Sequence, residues 1–268
     1  MKIGAYILVL GFLSAFLSGC DIQGRLLYYP GKISIDEVRR YAMENGLQMW
    51  PEQDSAYQAI VNARGPMNLR GTIVVFHGNA GTAASRRYYI DALNSRGYRV
   101  VLAEYPGYGG RTGELSEESF IADARRTAIR AKEEFGGPLY LWGESMGCGV
   151  ASALAKDPEL DPRGIVMLTP WDSLLNEGKA LFPWLPVRLF MKDTYDNVAN
   201  LSGYKGPVAV IMSGKDEVIP NRLTERLYES LPQPKRLWVF KDSGHNDWPV
   251  NPQLEWWDEV MAFLGTQR

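Results

Sequence analysis

The chain has 268 residues, a formal net charge of −2 and 46% apolar residues, values that exclude a collagen-like or a disordered protein. With 29 basic and 31 acidic residues, it carries no excess of positive charge for binding nucleic acid. Two cysteines exclude a disulfide-rich scaffold, and the two histidines, His77 and His245, exclude a metal site built from several imidazoles.

The first twenty residues predict a targeting segment. Lys2 precedes an uncharged apolar stretch over residues 3–16, which fits a secretory signal and is shorter than the roughly 20 residues of a membrane-spanning helix. The next residues, Leu17-Ser18-Gly19-Cys20, resemble the cleavage box of a bacterial lipoprotein. This resemblance implies a signal peptide over residues 1–19, lipidation of Cys20 and a protein tethered to a bacterial membrane, facing the periplasm or exterior. The alternative is an uncleaved signal anchor.

The remaining chain predicts one α/β domain over residues 20–268. A helix is expected at 35–45, capped by Ser34, and early strands at 47–50 and 57–63. Apolar runs then alternate with helical stretches, a pattern typical of a mainly parallel sheet with helices on both faces. These runs predict strands at 72–76, 99–103, 139–142, 164–168, 208–212 and 236–240. Helices are predicted at 85–94, 117–135, 146–155, 222–230 and 252–264.

An apolar segment over residues 175–206 predicts a small cap insertion. It contains Leu181-Phe182-Pro183-Trp184-Leu185-Pro186 and Leu189-Phe190-Met191, which are too apolar for a loop that only contacts solvent. An apolar cap above a reactive group suits an acyl chain or another apolar ester. The alternative is a cap that only covers the core.

The sequence Gly143-Glu144-Ser145-Met146-Gly147 follows a predicted strand and opens a predicted helix. A nucleophilic serine needs a tight turn that lifts its hydroxyl out of the sheet, and the flanking glycines leave room for that turn. We therefore predict Ser145 as a nucleophile. The alternative is a glycine-lined turn whose serine only caps the helix.

Two further side chains follow strands at the same predicted edge of the sheet. Asp216 comes after the strand at 208–212, and His245 comes after the strand at 236–240. In open α/β sheets ligands bind beyond the carboxyl ends of the strands. We predict that His245 is the general base for Ser145 and that Asp216 orients the imidazole and stabilises its charged form.

The turn His77-Gly78-Asn79-Ala80-Gly81, after the strand at 72–76, predicts part of an oxyanion hole. The expected donors are the backbone N–H groups of Asn79 and Met146. The second of these opens the helix after the serine, whose positive dipole end favours the developing oxyanion.

Other residues could take the same roles. His77 is the rival general base, although it precedes the serine and is predicted as a hydrogen-bonded turn residue. Asp247 and Asp172 are rival acids, although Asp247 is only two residues from the base. Glu144 and Glu217 are expected to be solvated or supporting groups.

Over residues 65–265 the chain resembles an α/β-hydrolase, and more narrowly the Bem46-like serine hydrolases. The motifs that carry this resemblance are His77–Gly81, Tyr105–Gly109 with Gly113 and Ser116-Glu117, Gly143–Gly147, Leu185-Pro186, Asp193–Asn197, Gly214–Asp216 with Ile219-Pro220, and Gly244–Asn246. The resemblance implies Ser145, Asp216 and His245 as a catalytic triad. One departure is the lack of the family's Asp-Gly turn before residue 70, so the resemblance does not define the N-terminal edge of the sheet.

The predicted function is hydrolysis of carboxylic esters or thioesters through an acyl-enzyme, without a metal or an organic cofactor. The expected partners are a small-molecule ester or acyl substrate and a membrane, and no nucleic acid. One alternative is a peptidase or amidase that uses the same triad. Another is a non-catalytic lipoprotein that binds lipid or protein on a hydrolase shell.

Overall fold

Apolar strands form the central sheet of the structure, a computed structural model that describes residues 19–52 and 57–265. The strands are β1 (Tyr29–Pro30), β2 (Leu47–Trp50), β3 (Ala59–Asn62), β4 (Gly71–Phe76), β5 (Ala80–Gly81), β6 (Tyr98–Ala103), β7 (Leu139–Glu144), β8 (Gly164–Leu168), β9 (Val208–Ser213) and β10 (Lys235–Phe240). Within these residues, eight strands form one sheet in the order β10-β9-β8-β7-β4-β6-β3-β2. The β2–β3 and β3–β6 pairs are antiparallel and all the other pairs are parallel, which confirms the predicted mainly parallel sheet.

Helices cover both faces of this sheet. They are α1 (Gly19–Leu27), α2 (Ile35–Glu44), α3 (Arg87–Leu93), α4 (Glu117–Phe135), α5 (Met146–Ala153), α6 (Leu174–Leu181), α7 (Asn197–Leu201), α8 (Asn221–Ser230) and α9 (Trp256–Gly265). Two 3₁₀ turns lie at Ala83–Arg86 and Val187–Leu189. None of the helices in the described part of the chain combines the length and apolarity needed to cross a membrane.

Alternate residues of β4 pack into two hydrophobic cores, one on each face of the sheet. Val74 belongs to the core that includes residues of α4 and α5, whereas Ile73 and Val75 belong to the core that includes residues of α3 and α9. Successive side chains of a strand point to opposite faces, so a strand buried on both faces is apolar throughout. This arrangement confirms the predicted α/β class.

Two predicted boundaries differ from the structure. The last helix begins at Trp256 rather than at Pro252, because residues 251–254 form a separate turn held by the indoles of the helix. Trp256 Nε1 donates to the carbonyl of Pro249, and Trp257 Nε1 donates to that of Asn251. The helix predicted over 85–94 starts as a 3₁₀ turn, and its α-helical part begins at Arg87.

The N-terminal edge of the sheet, which the resemblance did not define, is the antiparallel pair β2–β3. The helix before it has the predicted Ser34 cap, because the Ser34 hydroxyl accepts from the Glu37 N–H and the Glu37 carboxylate accepts from the Ser34 N–H. Residues 1–18, most of the predicted signal peptide, lie outside the described residues, and so does the side chain of Cys20.

The segment between β8 and β9 contains α6, the second 3₁₀ turn and α7. It includes the predicted cap, residues 175–206. Several of its large apolar side chains are exposed to solvent, most of all Trp184 at 79% and Leu189 at 71%. The short parallel pair β1–β5 joins the N-terminal segment to the loop that follows β4.

Candidate active site

Ser145 lies on a strained turn between β7 and α5. Its φ of +52° and ψ of −116° fall in a region that residues other than glycine rarely adopt. Neighbouring glycines make the turn possible, because a Cβ on Gly147 would lie 2.0 Å from the carbonyl oxygen of Phe76, and a Cβ on Gly143 would lie 2.4 Å from the Cα of Cys148. The turn therefore has the strand–serine–helix geometry that presents a nucleophilic serine at the end of a strand.

The structure brings together the three side chains predicted to act on the substrate. His245 Nε2 lies 3.0 Å from Ser145 Oγ, and His245 Nδ1 lies 2.8 Å from Asp216 Oδ2. All three side chains are largely buried. When Nδ1–H donates a hydrogen bond to the Asp216 carboxylate, Nε2 presents a lone pair to the Ser145 hydroxyl. This is the arrangement needed for removing the proton of the serine.

Backbone groups and a second carboxylate hold Asp216 and His245 in place. Asp216 Oδ1 accepts hydrogen bonds from the N–H groups of Val218 and Ile219, at 2.9 and 2.7 Å. The carboxylate of Glu217 accepts from the N–H of His245 at 3.1 Å. Glu217 is thus a supporting group for the loop of the histidine.

The two predicted oxyanion donors lie on either side of the serine turn. Met146 is the first residue of α5, directly after Ser145. The loop containing Asn79 also packs against the turn, since a Cβ on Gly78 would lie 3.6 Å from the Cβ of Ser145. The carbonyl of Asn79 accepts from Tyr108 Oη at 2.7 Å, which fixes this loop. The role of both N–H groups as oxyanion donors stays a prediction.

The side chains of the rival residues are engaged in other hydrogen bonds. The His77 side chain is 1% exposed, and its ring nitrogens meet the carbonyl of Gly78 and the carboxylate of Glu104 rather than the Ser145 hydroxyl. The Asp247 carboxylate accepts from the N–H of Gly244, within the histidine's own loop. Asp172 is buried and hydrogen-bonded to the N–H of Ser173 and the side chain of Asn176. Of the rival acids, neither has a hydrogen bond to His245 among the described residues.

Ser145 and His245 line a cavity of about 700 Å³. Its walls are mostly apolar and come from α1, β1, the cap and the loops after β4 and β8. The larger apolar side chains that line it are Leu26, Leu27, Tyr29, Trp171, Leu174, Leu181, Phe182, Trp184, Leu185, Val187, Phe190, Met191 and Val218. A concave apolar site of this size with few polar groups is typical of a pocket for a small apolar ligand.

One ion pair in the cavity wall adjoins the nucleophile. Arg86 Nη2 lies 2.8 Å from Glu144 Oε1, and the other carboxylate oxygen accepts from the hydroxyls of Tyr88 and Tyr89. Burial opposes ionisation of Glu144, but the charge and hydrogen bonds of Arg86 outweigh it, so the pKa of this carboxyl lies below its ordinary value. The residue before Ser145 is therefore fixed by a buried network.

Glu177 and Thr169 also line the cavity, and sequence analysis identified neither. A signal for Glu177 was present, because Leu174, Glu177 and Leu181 share one face of a helix and a carboxylate interrupts this apolar stripe. Thr169 carried no such signal, since its position depends on a backbone φ of +48° at the end of β8. In residues 19–52 and 57–265, no cluster of three or more His, Cys, Asp or Glu side chains could hold a metal ion.

Comparisons with known proteins agree with the fold. The family model for serine aminopeptidases of type S33 matches residues 67–189. An uncharacterized protein of Mycobacterium tuberculosis is 36% identical over 199 residues, a match that covers 72% of this chain and 69% of that protein. Lysophosphatidylserine lipase ABHD12 of Danio rerio is 30% identical over 184 residues, covering 62% of this chain and 48% of the lipase.

A solved esterase of Pyrococcus furiosus has the same fold, with a TM-score of 0.62 at 21% identity, covering 78% of this chain and 85% of that one. This chain spans about half the length of the ABHD12 relative, so the activity of that relative does not transfer directly. Family, relatives and fold together confirm the predicted superfamily. The chain belongs to the α/β-hydrolase superfamily and is a hydrolase of that class.

Proposed function

We propose that this protein is a serine hydrolase that cleaves carboxylic esters or thioesters through an acyl-enzyme. The observation that carries the proposal is the hydrogen-bonded series from Asp216 through His245 to Ser145, which opens into an apolar cavity. Binding of lipid alone does not require these hydrogen bonds. It therefore favours catalysis over the binding alternative.

Each side chain has one task in this mechanism. His245 Nε2 takes the proton of Ser145 Oγ as the oxygen attacks the acyl carbon, and the N–H groups of Asn79 and Met146 stabilise the resulting oxyanion. His245 then gives the proton to the leaving alcohol or thiol, and Asp216 stabilises the imidazolium in between. In the second half-reaction water takes the place of the alcohol. His245 removes its proton as the water attacks the acyl carbon, and then returns a proton to Ser145 Oγ as the carboxylic acid leaves.

The cavity supports an apolar acyl group as the part of the substrate that is retained on Ser145. Most of the larger apolar side chains in its walls are leucine, phenylalanine or tryptophan, which favour a hydrocarbon chain over a charged group. The relatives point the same way, because one is named a lipase and one an esterase. A long-chain acyl ester is accordingly the first substrate class to test.

A covalent probe of activated serines tests the proposal. We expect a fluorophosphonate to label residues 21–268, produced as a soluble protein, and to fail with heat-denatured protein and with the Ser145→Ala variant. The matched control is Ser230→Ala, which removes an exposed serine on α8 that is not among the cavity-lining residues. Absence of labelling in folded protein, or equal labelling of the Ser145→Ala variant, would reject the mechanism.

The peptidase alternative is favoured by one finding, the match to the serine aminopeptidase model. Acyl esters and aminoacyl amides of matched size, given to unlabelled protein from the same preparation, separate the two. We expect kcat/KM to be higher for the acyl ester. Faster cleavage of the amide would make the peptidase the better description.

We also propose a tether to the extracytoplasmic face of a bacterial membrane through lipidated Cys20. The sequence of the first twenty residues supports it. So do the exposed apolar side chains at the cavity mouth, since Leu26 of α1 is 60% exposed and Trp184 of the cap is 79% exposed. A lipid surface would cover both and would bring an acyl substrate to the cavity.

Mass spectrometry of the N-terminal peptide from the full-length chain, expressed in a bacterium, tests the tether. We expect a mature N-terminus at Cys20 that carries acyl groups, and loss of this modification in Cys20→Ser. Cys148→Ser is the matched control, because that thiol is buried beside the serine turn. An unmodified chain that retains residues 1–19 would instead support a signal anchor.

A further inference from the structure

A buried carboxyl group in the cap faces the cavity without a complete set of partners. Glu177, on α6, is 7% exposed and lines the same cavity as Ser145 and His245. Its Oε2 is buried and has no hydrogen-bond partner among the described residues.

Other buried carboxylates of the chain are well satisfied. Glu144 pairs with Arg86 and two tyrosine hydroxyls, and Glu104 pairs with His77 and the N–H of Ala83. Glu177 is therefore an exception to the rule that buried polar groups are hydrogen-bonded.

Glu177 lines the same cavity as His245, and the two groups interact electrostatically. Burial raises the pKa of Glu177 to about 7, the charge of His245 opposes this rise, and the charge of Asp216 adds to it. Both members of the histidine–aspartate pair are thus within electrostatic reach of this carboxyl group. A leucine at this position would continue the apolar face of α6 and avoid the penalty of burying an acid. The position therefore carries a polar group that an apolar cavity wall does not need.

A second unsatisfied polar atom lies in the same cavity. The hydroxyl of Thr169 is buried without a hydrogen-bond partner in the described part of the chain, and its residue follows β8. A hydroxyl can both donate and accept hydrogen bonds, and so can a carboxyl group when it is protonated. Together they can satisfy a ligand that carries hydroxyl groups, while the rest of the cavity takes its apolar part.

The chemistry of the histidine decides which part of the ester these groups meet. In the proposed mechanism His245 Nε2 delivers a proton to the leaving oxygen, so the alcohol must lie next to His245. Glu177 is within electrostatic reach of His245, whereas the acyl chain must extend from Ser145 into the apolar remainder. We therefore expect the polar pair to meet the alcohol rather than the acyl chain.

We propose that Glu177 and Thr169 form a polar subsite that binds free hydroxyl groups on the leaving alcohol of the ester, such as those of a glycerol-type alcohol. This inference rests on the proposed ester hydrolysis and adds the determinant of alcohol specificity. Both residues are specificity determinants that hold the alcohol. The proton transfers remain with His245.

The test compares two esters of one fatty acid, a monoacylglycerol and the ethyl ester, which differ in the free hydroxyls of the alcohol. We expect wild-type protein to have the higher kcat/KM for the glycerol ester. In Glu177→Leu and Thr169→Val this preference should fall, by about tenfold or more in the first variant, chiefly through KM for the glycerol ester. Ethyl ester hydrolysis should persist. Lys179→Leu is the matched control, an exposed position on the same helix that is not in the cavity lining.

Glu177→Gln keeps the fold testable if the leucine variant does not fold, and its preference should fall by less because an amide still forms hydrogen bonds. An unchanged preference in folded Glu177→Leu or Glu177→Gln and in Thr169→Val would overturn the subsite. Preference for an ethanolamine ester over the glycerol ester, lost in Glu177→Gln, would assign the site to an ammonium group instead. Fluorophosphonate labelling of each variant separates these outcomes from failure of the serine mechanism, which would abolish labelling in wild-type protein.

Discussion

The two histidines of the chain form two histidine–carboxylate pairs of almost equal length. His77 Nε2 lies 2.9 Å from Glu104 Oε1, and His245 Nδ1 lies 2.8 Å from Asp216 Oδ2. Each histidine follows the carboxyl end of a strand of the central sheet. What distinguishes them is the group that meets the second ring nitrogen.

The second nitrogen of His77 is used by the backbone. Its Nδ1 lies 2.7 Å from the carbonyl oxygen of Gly78, which can only accept, so Nδ1 is the donor in this hydrogen bond. The second nitrogen of His245 meets the hydroxyl of Ser145 at 3.0 Å, in the wall of a cavity. A hydroxyl can give its proton to the ring, whereas a carbonyl cannot. The same pair of residue types therefore braces a loop in one place and can exchange protons in the other.

The largest expected effect separates the two histidines by activity. In His245→Ala, kcat for an acyl ester should fall by about 10⁵-fold, because Ser145 loses its base, while the melting temperature should change little. Ester hydrolysis and thermal unfolding of purified protein measure both quantities. Residual kcat within tenfold of wild type would show that His245 is not the base.

Asp216→Asn should cost somewhat less. An asparagine keeps the shape of the side chain but cannot stabilise the imidazolium, and it favours the wrong tautomer of His245, so kcat should fall by about 10³- to 10⁴-fold. Steady-state kinetics measure this loss. Asp247→Asn, in the same histidine loop, is the matched control, and a greater loss in that variant would transfer the role of the acid to Asp247.

His77→Ala should change stability instead. It leaves the fully buried carboxylate of Glu104 without its histidine, and breaking a buried pair in this way costs about 3–5 kcal/mol of the free energy of unfolding. Urea unfolding measures the loss. The fraction that remains folded should still react with a fluorophosphonate. Loss of labelling at unchanged stability would give His77 a direct part in the reaction.

The sequence could identify the central strands and the candidate triad because both depend on local patterns and chain order. A strand, a Gly-x-Ser-x-Gly turn and a helix follow one another within about fifteen residues. Asp216 and His245 follow later strands in the order that the resemblance implies. Chain order also favoured His245 over His77, although nothing local distinguishes two histidines that each follow a strand.

Other features depend on packing between distant segments and could not be predicted. The true start of the last helix at Trp256 depends on two indoles that turn back to the chain before it. The carboxyl of Glu177 becomes a cavity group only because α6 and the loop of His245 line the same cavity. Local sequence contains the apolar stripe of α6 but not what that stripe faces.

The smallest expected effect is a pH dependence of stability caused by Glu177. This residue extends the comparison of the two histidine–carboxylate pairs, because its buried carboxyl group has no hydrogen bond to a histidine among the described residues. Its pKa in the folded protein is about 7, raised by burial from an ordinary value of 4.5, so the folded state binds the proton more tightly than the unfolded state does. The free energy of unfolding should therefore fall as the pH rises from about 4.5 to 7 and stay lower above that range. Each pKa unit corresponds to about 1.4 kcal/mol, so the shift from 4.5 to about 7 sets the loss at no more than about 3.5 kcal/mol.

Glu177→Gln removes this titration. Relative to wild type, the variant should gain more stability at pH 8 than at pH 5, as measured by urea unfolding at the two values. Glu229→Gln, at an exposed position on α8 outside the cavity lining, is the matched control for the loss of one carboxylate. An equal stability difference at both pH values would mean that the carboxyl of Glu177 is ionised throughout. The cavity would then present a fixed negative charge to the alcohol of the substrate, and a cationic alcohol would fit it better than a neutral one.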